Sequence, residues 1–107
     1  MSDAVTPEAG AEQPRPPLPA ASFGLLVLSL RAQAEMQLGL SPFGDEPGDG
    51  PDLVLARHTI DMMAVLLEKT KGNLTLDERR LLENSLTELR FRFVQASDEQ
   101  AQAGQKS

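Results

Sequence analysis

Cysteine, tryptophan and tyrosine are all absent from this chain of 107 residues, and phenylalanine occurs only four times. Without cysteine the chain can form no disulfide, no thiolate zinc site and no thiol nucleophile. The same absence fits a reducing compartment, so a cytoplasmic location is expected. A chain of this length holds one domain at most.

Positive charge and long apolar runs are also scarce. The formal net charge is −6, which disfavours nucleic acid and anionic membrane surfaces as partners. The most apolar stretch, LPAASFGLLVLSL, falls well short of the roughly 20 residues that a membrane-spanning helix needs. The N-terminus, MSDAVTPEAGAEQ, lacks the basic start and early apolar run of a signal peptide. The sequence therefore predicts a soluble protein without a membrane partner.

Both ends of the chain are predicted to be disordered tails. Residues 1–21 contain five prolines, with alanine, glutamate and glutamine between them, and residues 96–107 are polar apart from three alanines and a glycine. Neither segment can bury enough apolar surface to offset the entropy that it would lose on ordering. The folded domain should therefore span residues 22–95.

The first predicted helix covers about residues 22–38 and is apolar around most of its circumference. Ser22 is a suitable N-cap, and Gly39, with a proline shortly beyond, marks the end. One row of side chains consists of Phe23, Leu26, Val27, Leu30 and Ala34, and the other side carries Leu25, Leu28, Ala32 and Met36. Such a helix is usually surrounded by protein, so we expect a partner subunit to supply the second wall.

The second predicted helix covers about residues 52–71 and carries two apolar rows. The main row is spaced 3, 4, 3, 4 and consists of Leu53, Ala56, Ile60, Met63 and Leu67. The other row, about 100° away, consists of Leu55, Thr59, Met62 and Leu66. Together they cover roughly half of the helix surface, which is enough to contact two neighbours.

The third predicted helix covers about residues 76–95. Its apolar row consists of Leu82, Leu86, Leu89 and Phe93. Opposite charges four residues apart should pair on its polar side, Arg79 with Glu83 and Glu88 with Arg92. Phe91 and Val94 lie outside the apolar row, so they are expected to cover the end of the first helix or to contact another chain.

The connection between the second and third helices has recognisable stop and start signals. Two lysines and then Gly72 end the second helix, because glycine readily adopts the left-handed conformation found there. Thr75 and Glu78 form a capping box that starts the next helix. Such a short connection predicts an antiparallel helical hairpin. Asn73 takes no part in these signals, and it is either a second left-handed residue or a position that a partner recognises.

Candidate catalytic and metal sites are weak. The acidic loop at residues 39–51 does not fit a calcium-binding EF-hand, since the twelfth position counted from Asp45 is Ala56 rather than glutamate. His58 is the only histidine, and although it lies near Asp61, no cysteine or second histidine completes a site. We therefore expect no enzymatic activity, no cofactor, no bound metal and no small-molecule substrate.

Four arginines on the third helix leave open an alternative function, namely a regulator associated with nucleic acid. They are Arg79, Arg80, Arg90 and Arg92. Acidic residues are interleaved with them along the same helix, which favours a solvated, ion-paired surface instead. Nucleic acid is thus the less favoured partner.

Several motifs together resemble a small bacterial family described only as a domain of unknown function, number eighteen-forty-four. They are SF…L…SL…A…LG, A-R-x-x-I-D, L-x-x-K-T-x-G-N-L-T and E-x-x-L-L-E-x-x-L-x-x-L-R. The similarity covers about residues 22–94, and KTKGNLT is its most specific part. What the resemblance implies is a short, cytosolic, helical bacterial protein with no assigned activity, catalytic residue or cofactor.

The sequence thus predicts an all-α fold, a three-helix unit made of an antiparallel helical hairpin and an apolar N-terminal helix between disordered tails. A single core in a domain this small supplies only about 3–5 kcal/mol. Its apolar helix surface exceeds what three helices can hide, so we expect a coiled-coil-like helical interaction or assembly module. It should act as a homodimer or as a small accessory subunit bound to another protein. The candidate interface residues are Phe23, Leu26, Leu30, Leu55, Met62, Leu66 and Phe91.

Overall fold

The computed structural model describes residues 15–40 and 50–106 of the chain. Within these ranges the backbone forms three α-helices and no strand, which confirms the all-α prediction. The helices are α1, Phe23–Gln37; α2, Leu53–Lys69; and α3, Leu76–Lys106. Each helix packs against both of the others.

The start and end of α1 are fixed by the predicted residues. The Ser22 hydroxyl oxygen accepts a hydrogen bond of 3.0 Å from the backbone N–H of Leu25, as an N-cap should. After the helix, Gly39 has a φ of 85°, the left-handed conformation that glycine adopts with little strain. The backbone N–H of Asp52 then donates to the Gln37 carbonyl at 2.8 Å, which brings the start of α2 against the end of α1.

The acidic loop considered for calcium lies mostly outside the described residues. The next carboxylate along the chain, that of Asp52, is described and has a structural role. Its Oδ1 accepts a hydrogen bond of 3.0 Å from the N–H of Leu55 and so caps α2.

The turn between α2 and α3 matches its predicted signals. Gly72 has a φ of 86°, and the capping box is formed in both directions. The N–H of Glu78 donates to the Thr75 hydroxyl at 3.1 Å, and Glu78 Oε1 accepts from the N–H of Thr75 at 2.8 Å. The direct contact between α2 and α3 across this short turn is what the predicted hairpin requires.

Two details of this turn differ from the prediction. The second helix ends at Lys69 rather than at Lys71, because Thr70 already caps it and its hydroxyl donates to the Leu66 carbonyl at 2.7 Å. Asn73 is not left-handed, since no residue other than glycine has a positive φ in the described ranges. Its backbone N–H donates to the Thr70 carbonyl at 2.8 Å, which closes the turn without a second special conformation.

The third helix, which the sequence predicts to end at about residue 95, instead continues to Lys106. Its last part, ASDEQAQAGQK, has no apolar residue larger than alanine but contains several good helix formers and no proline. Extending a helix that is already formed adds a hydrogen bond for each residue without a new nucleation cost. The polar composition that predicted disorder is therefore compatible with continued helix.

The core consists of three apolar side chains from each helix. They are Val27, Ala34 and Leu38 at α1, Ala56, Ile60 and Met63 from α2, and Leu82, Leu86 and Leu89 from α3. These positions match the predicted apolar rows of the second and third helices. For α1, the row that enters the core is the one that contains Val27 and Ala34. Three members of this row, Phe23, Leu26 and Leu30, are among the predicted interface residues.

Candidate interaction surface

A single arginine ties α1 to α3. The guanidinium of Arg31 pairs with Glu35 at 3.2 Å on its own helix and with Glu88 at 3.1 Å on α3. It also donates to the hydroxyl of Ser85, a fully buried residue, at 3.4 Å. Arg92 extends the group through a 3.5 Å contact with Glu88. The network fixes the side of α1 that carries Arg31 against α3.

Another side of α1 contacts α2 through a side-chain hydrogen bond. The Thr59 hydroxyl donates to Gln37 Oε1 at 2.7 Å, and Thr59 itself is almost completely buried. Because successive helical residues turn by about 100°, Gln37 and Arg31 lie on different sides of α1. The contacts with α2 and α3 therefore leave a third side of α1 facing outward.

This third side, the α1 outer face, consists of Leu25, Leu28, Ser29, Ala32 and Met36. Leu28 and Met36 are 50% and 56% exposed, and Leu25 and Ala32 are half-buried. Arg31 and Glu35 are the only charged residues of α1, and both are engaged in the network with α3. Glu35, seven residues after Leu28, lies only about 20° from it around the helix, so the Arg31–Glu35 pair borders the α1 outer face on one side.

A second apolar area, the α2 flank, consists of Leu55, Met62 and Leu66. By helical position it lies beside Thr59, on the part of α2 that borders α1. Leu55 and Met62 are close to half exposed, as is Leu26 at the edge of α1 nearest to them. The α1 outer face and the α2 flank thus lie on neighbouring sides of the same helix pair.

The structure divides the seven predicted interface residues into two groups. Phe23, Leu30 and Leu66 are half-buried and pack against the core. The other four, Leu26, Leu55, Met62 and Phe91, are exposed. The role of all seven residues in an interface stays a prediction.

The seven candidate residues do not include Leu28 and Met36, which are more exposed than Leu26. Both belong to the second apolar row of the first helix. Arg31 and Glu35 were the residues that could have indicated which side of that helix faces the rest of the protein. The residue on α3 that Arg31 contacts, however, is more than 50 residues away in the chain. The residue pattern within the helix alone could not reveal this contact.

A separate exposed area on α3 contains Phe91 and Val94, which are 62% and 55% exposed. Charged residues surround it, since Arg90 and Arg92 are also exposed. Of the two predicted ion pairs on this helix, Glu88 with Arg92 is formed, whereas no contact within 4 Å joins Arg79 to Glu83 among the described residues. The four arginines are spread along the helix rather than gathered around one point.

The possible catalytic pair, His58 and Asp61, is not assembled. Both side chains are exposed, and the carboxylate of Asp61 lies 3.9 Å from the guanidinium of Arg57. Within the described residues, no group of three or more histidine, cysteine, aspartate or glutamate side chains is placed to hold a metal ion. Similarly, none of the helices described here is long and apolar enough to cross a membrane.

An open cleft of about 540 Å³ lies at the turn between α2 and α3. Its lining combines leucines with charged residues of both signs, among them Lys71, Arg79 and Glu83. Asn73, exposed in the same turn, makes no side-chain hydrogen bond to the described part of the protein. No buried polar group is aimed into the cleft from its lining, all of which is exposed or half-buried.

The similarity of this chain to known proteins lies at the level of a protein family. Searches of curated proteins and of solved structures gave no significant match. The family model described as Domain of unknown function (DUF1844) matches residues 20–95, which include α1, α2 and most of α3. That match covers well over half of the chain and agrees with the resemblance carried by KTKGNLT. The chain therefore belongs to the family Domain of unknown function (DUF1844).

Proposed function

We propose that this protein is a non-enzymatic helical interaction module, acting as a homodimer or as a small accessory subunit. It binds another protein chain through the α1 outer face and the adjoining α2 flank. The observation that carries the proposal is that these two areas expose large apolar side chains together, while the two charged residues of α1 pair with each other and Arg31 reaches Glu88 on α3. Clustered apolar exposure of this kind is typical of protein interaction sites.

The magnitude of the apolar surface supports binding rather than incidental exposure. Complete burial of a leucine or methionine side chain contributes about 1.5–3 kcal/mol, and five such side chains are close to half exposed here. Covering all five would contribute roughly 4–7 kcal/mol from this chain alone. These five are Leu26, Leu28, Met36, Leu55 and Met62. Apolar groups on the partner would add a similar amount.

Other functions have less support from the arrangement of residues. His58 and Asp61 point to solvent, and Asp61 already has Arg57 as its neighbour, so a base supported by a carboxylate is not set up. The arginines of α3 alternate with acids, and the chain as a whole is acidic, which opposes attraction to phosphate groups. Neither the His58–Asp61 pair nor the arginines of α3 form a cluster of side chains comparable to the exposed apolar surface.

The proposal is tested by affinity purification of the full chain from its native cells, comparing wild type with Ala32→Arg. Arginine is a good helix former, so the substitution should leave α1 folded while placing a charge in the centre of the α1 outer face. Partners identified with the wild type should be lost from Ala32→Arg. Thr87→Arg, an equivalent change at an exposed position of α3, should retain them. Equal recovery of the same partners by both variants would contradict the proposal.

A further inference from the structure

Methionine is the only sulfur-containing residue type of this chain. Peroxides oxidise the sulfur of cysteine and methionine more readily than other side chains. The chain has no cysteine, and its four methionines are Met1, Met36, Met62 and Met63. No thiol therefore competes for peroxide, and its oxidation of the chain is directed at the methionine thioethers.

The fold separates the described methionines by their access to water. Met36 and Met62 are 56% and 43% exposed, whereas Met63 is completely buried in the core. Oxidation of Met63 requires the core to open, and because even a small domain opens rarely, its thioether should react at least about 100-fold more slowly. Met1 lies outside the described residues. Within the described residues, the thioethers open to peroxide are thus those of Met36 and Met62.

Both exposed methionines belong to the proposed binding surface. Met36 is the last large side chain of the α1 outer face, and Met62 is the middle member of the α2 flank. The hydrogen bond of 2.7 Å between Thr59 and Gln37 joins the two helices beside them. Each methionine is within one helical turn of this bond, Met36 next to Gln37 and Met62 three residues after Thr59. The oxidisable sulfur of the described surface therefore coincides with its exposed apolar area.

Peroxide converts a methionine thioether to a sulfoxide in a two-electron step. The sulfur lone pair attacks one oxygen of hydrogen peroxide, so that an S–O bond forms and the O–O bond breaks. The other oxygen leaves as hydroxide and takes the proton of the first, which gives water. Sulfur is oxidised by two electrons, and the peroxide is reduced by two. The product is a polar side chain, and methionine sulfoxide reductases convert it back to the thioether.

We propose that Met36 and Met62 are reversible oxidation sites, whose conversion to sulfoxides by peroxide prevents binding at the α1 outer face and the α2 flank. The inference rests on the proposed function and concerns the regulation of the same surface. A sulfoxide oxygen that is buried against apolar side chains without a hydrogen-bond donor should weaken binding at least about 10-fold at each site. Oxidation takes place in the free chain, where both thioethers are open to water, and it then blocks binding. The fold is kept, because Met63 stays reduced in the core.

Peptide mapping by mass spectrometry after hydrogen peroxide treatment of the full chain tests which methionines are oxidised. Met36 and Met62 should each gain one oxygen while Met63 stays unmodified, and the circular dichroism of the chain should not change. Fragment ions distinguish Met62 from Met63, which share a tryptic peptide. In urea Met63 should be oxidised as well, because it is protected by the core rather than unreactive. Oxidation of Met63 in the folded chain as fast as that of Met36 and Met62 would overturn the inference.

A partly oxidised pool of the full chain tests the effect on binding. The pool is prepared from Thr87→Met, which adds a control methionine at an exposed position of α3, and is mixed with extract of the native cells. Chains in complexes are then separated from free chains by size. The complexed chains should contain at least about 10-fold less sulfoxide at Met36 and Met62 than the free chains, and an equal amount at position 87. Sulfoxide reductases should restore binding to the free fraction.

The outcomes distinguish failure of this inference from failure of the proposed function. Equal sulfoxide at Met36 and Met62 in complexed and free chains would overturn the inference, whereas the proposed function would stand if Ala32→Arg abolishes the complex. Depletion at position 87 as large as that at Met36 and Met62 would also overturn the inference, because the effect would not belong to this surface. If the untreated chain forms no complex with itself or with another protein, the proposed function is wrong and the inference is wrong with it.

Discussion

At the scale of single residues, Arg31 makes the polar contacts between α1 and α3. Its guanidinium contacts Glu35, Ser85 and Glu88, so one side of α1 is held against α3. These contacts are only partly shielded from water, and each contributes modestly to stability. Their main consequence is that the side of α1 that carries Arg31 lies against α3.

The turn at Gly72 allows a prediction with a control at the next residue. Gly72→Ala should lower the free energy of unfolding by about 1–2 kcal/mol, because a φ of 86° brings a Cβ too close to the neighbouring backbone. Asn73→Ala should change it by less than about 0.5 kcal/mol, since its conformation is not left-handed and its side chain is exposed. Urea denaturation measures both, and equal losses would contradict the assignment of the turn.

The capping box is tested by Thr75→Ala, which removes the hydroxyl that accepts from the N–H of Glu78. The free energy of unfolding should fall by about 1 kcal/mol, the usual cost of losing a helix cap. Thr87→Ala, an exposed threonine within α3, is the control and should cause no loss, because alanine is the better helix former there. A loss at Thr87 as large as that at Thr75 would show that the cap contributes little.

Capping residues could be predicted from sequence because each acts on backbone groups three or four residues away. Ser22, Gly39, Gly72 and the Thr75–Glu78 pair are all identified in this way, and the structure confirms them. Ser85 and Arg31 could not be paired by the same reasoning, since they are 54 residues apart. Contacts of this range depend on how the helices pack, which a single sequence does not specify.

At the scale of helices, α1 shows the limit of periodicity most clearly. Its two apolar rows are almost equally hydrophobic, so the pattern does not indicate which one enters the core. Packing against α2 and α3 buries Val27 and Ala34 and leaves Leu28 and Met36 exposed. The helices α2 and α3 each have one dominant apolar row, and for these the sequence predicted the buried residues.

The length of α3 leads to a prediction about its last turns. Residues 98–104 are exposed, so a chain ending at Ser97 should keep its free energy of unfolding within about 0.5 kcal/mol. It should lose about a seventh of its helical circular dichroism signal, the share of the helical residues that lie beyond Ser97. An unchanged helical signal would contradict the extension, and a large loss of stability would show that these turns contact the core or a partner.

At the scale of the whole molecule, the protein has little core in proportion to its apolar surface. Nine apolar side chains are buried, whereas twelve large ones are exposed in the described residues. A domain with this balance gains stability when a partner covers part of the exposed surface, because binding to the folded state shifts the unfolding equilibrium. Stability should therefore rise with protein concentration if the partner is a second copy.

The acidic character of the whole chain predicts weak interaction with nucleic acid. Fluorescence anisotropy with labelled RNA and DNA at about 50 mM salt should show no binding at micromolar protein, because phosphate contacts are strongest at low salt and should be detectable there. Binding that weakens steeply with added salt, and that is lost on replacing Arg80 and Arg90, would instead favour the alternative function, a regulator associated with nucleic acid.

Sedimentation equilibrium of the full chain tests the central claim most directly in its homodimer form, in which the α1 outer face joins two copies. The wild type and Thr87→Arg should both form dimers at micromolar concentration, and Ala32→Arg should remain a folded monomer under the same conditions. Circular dichroism of the three proteins should be alike, which separates loss of the interface from loss of the fold. A wild type that is monomeric throughout this range, or an Ala32→Arg variant that dimerises equally well, would contradict the claim.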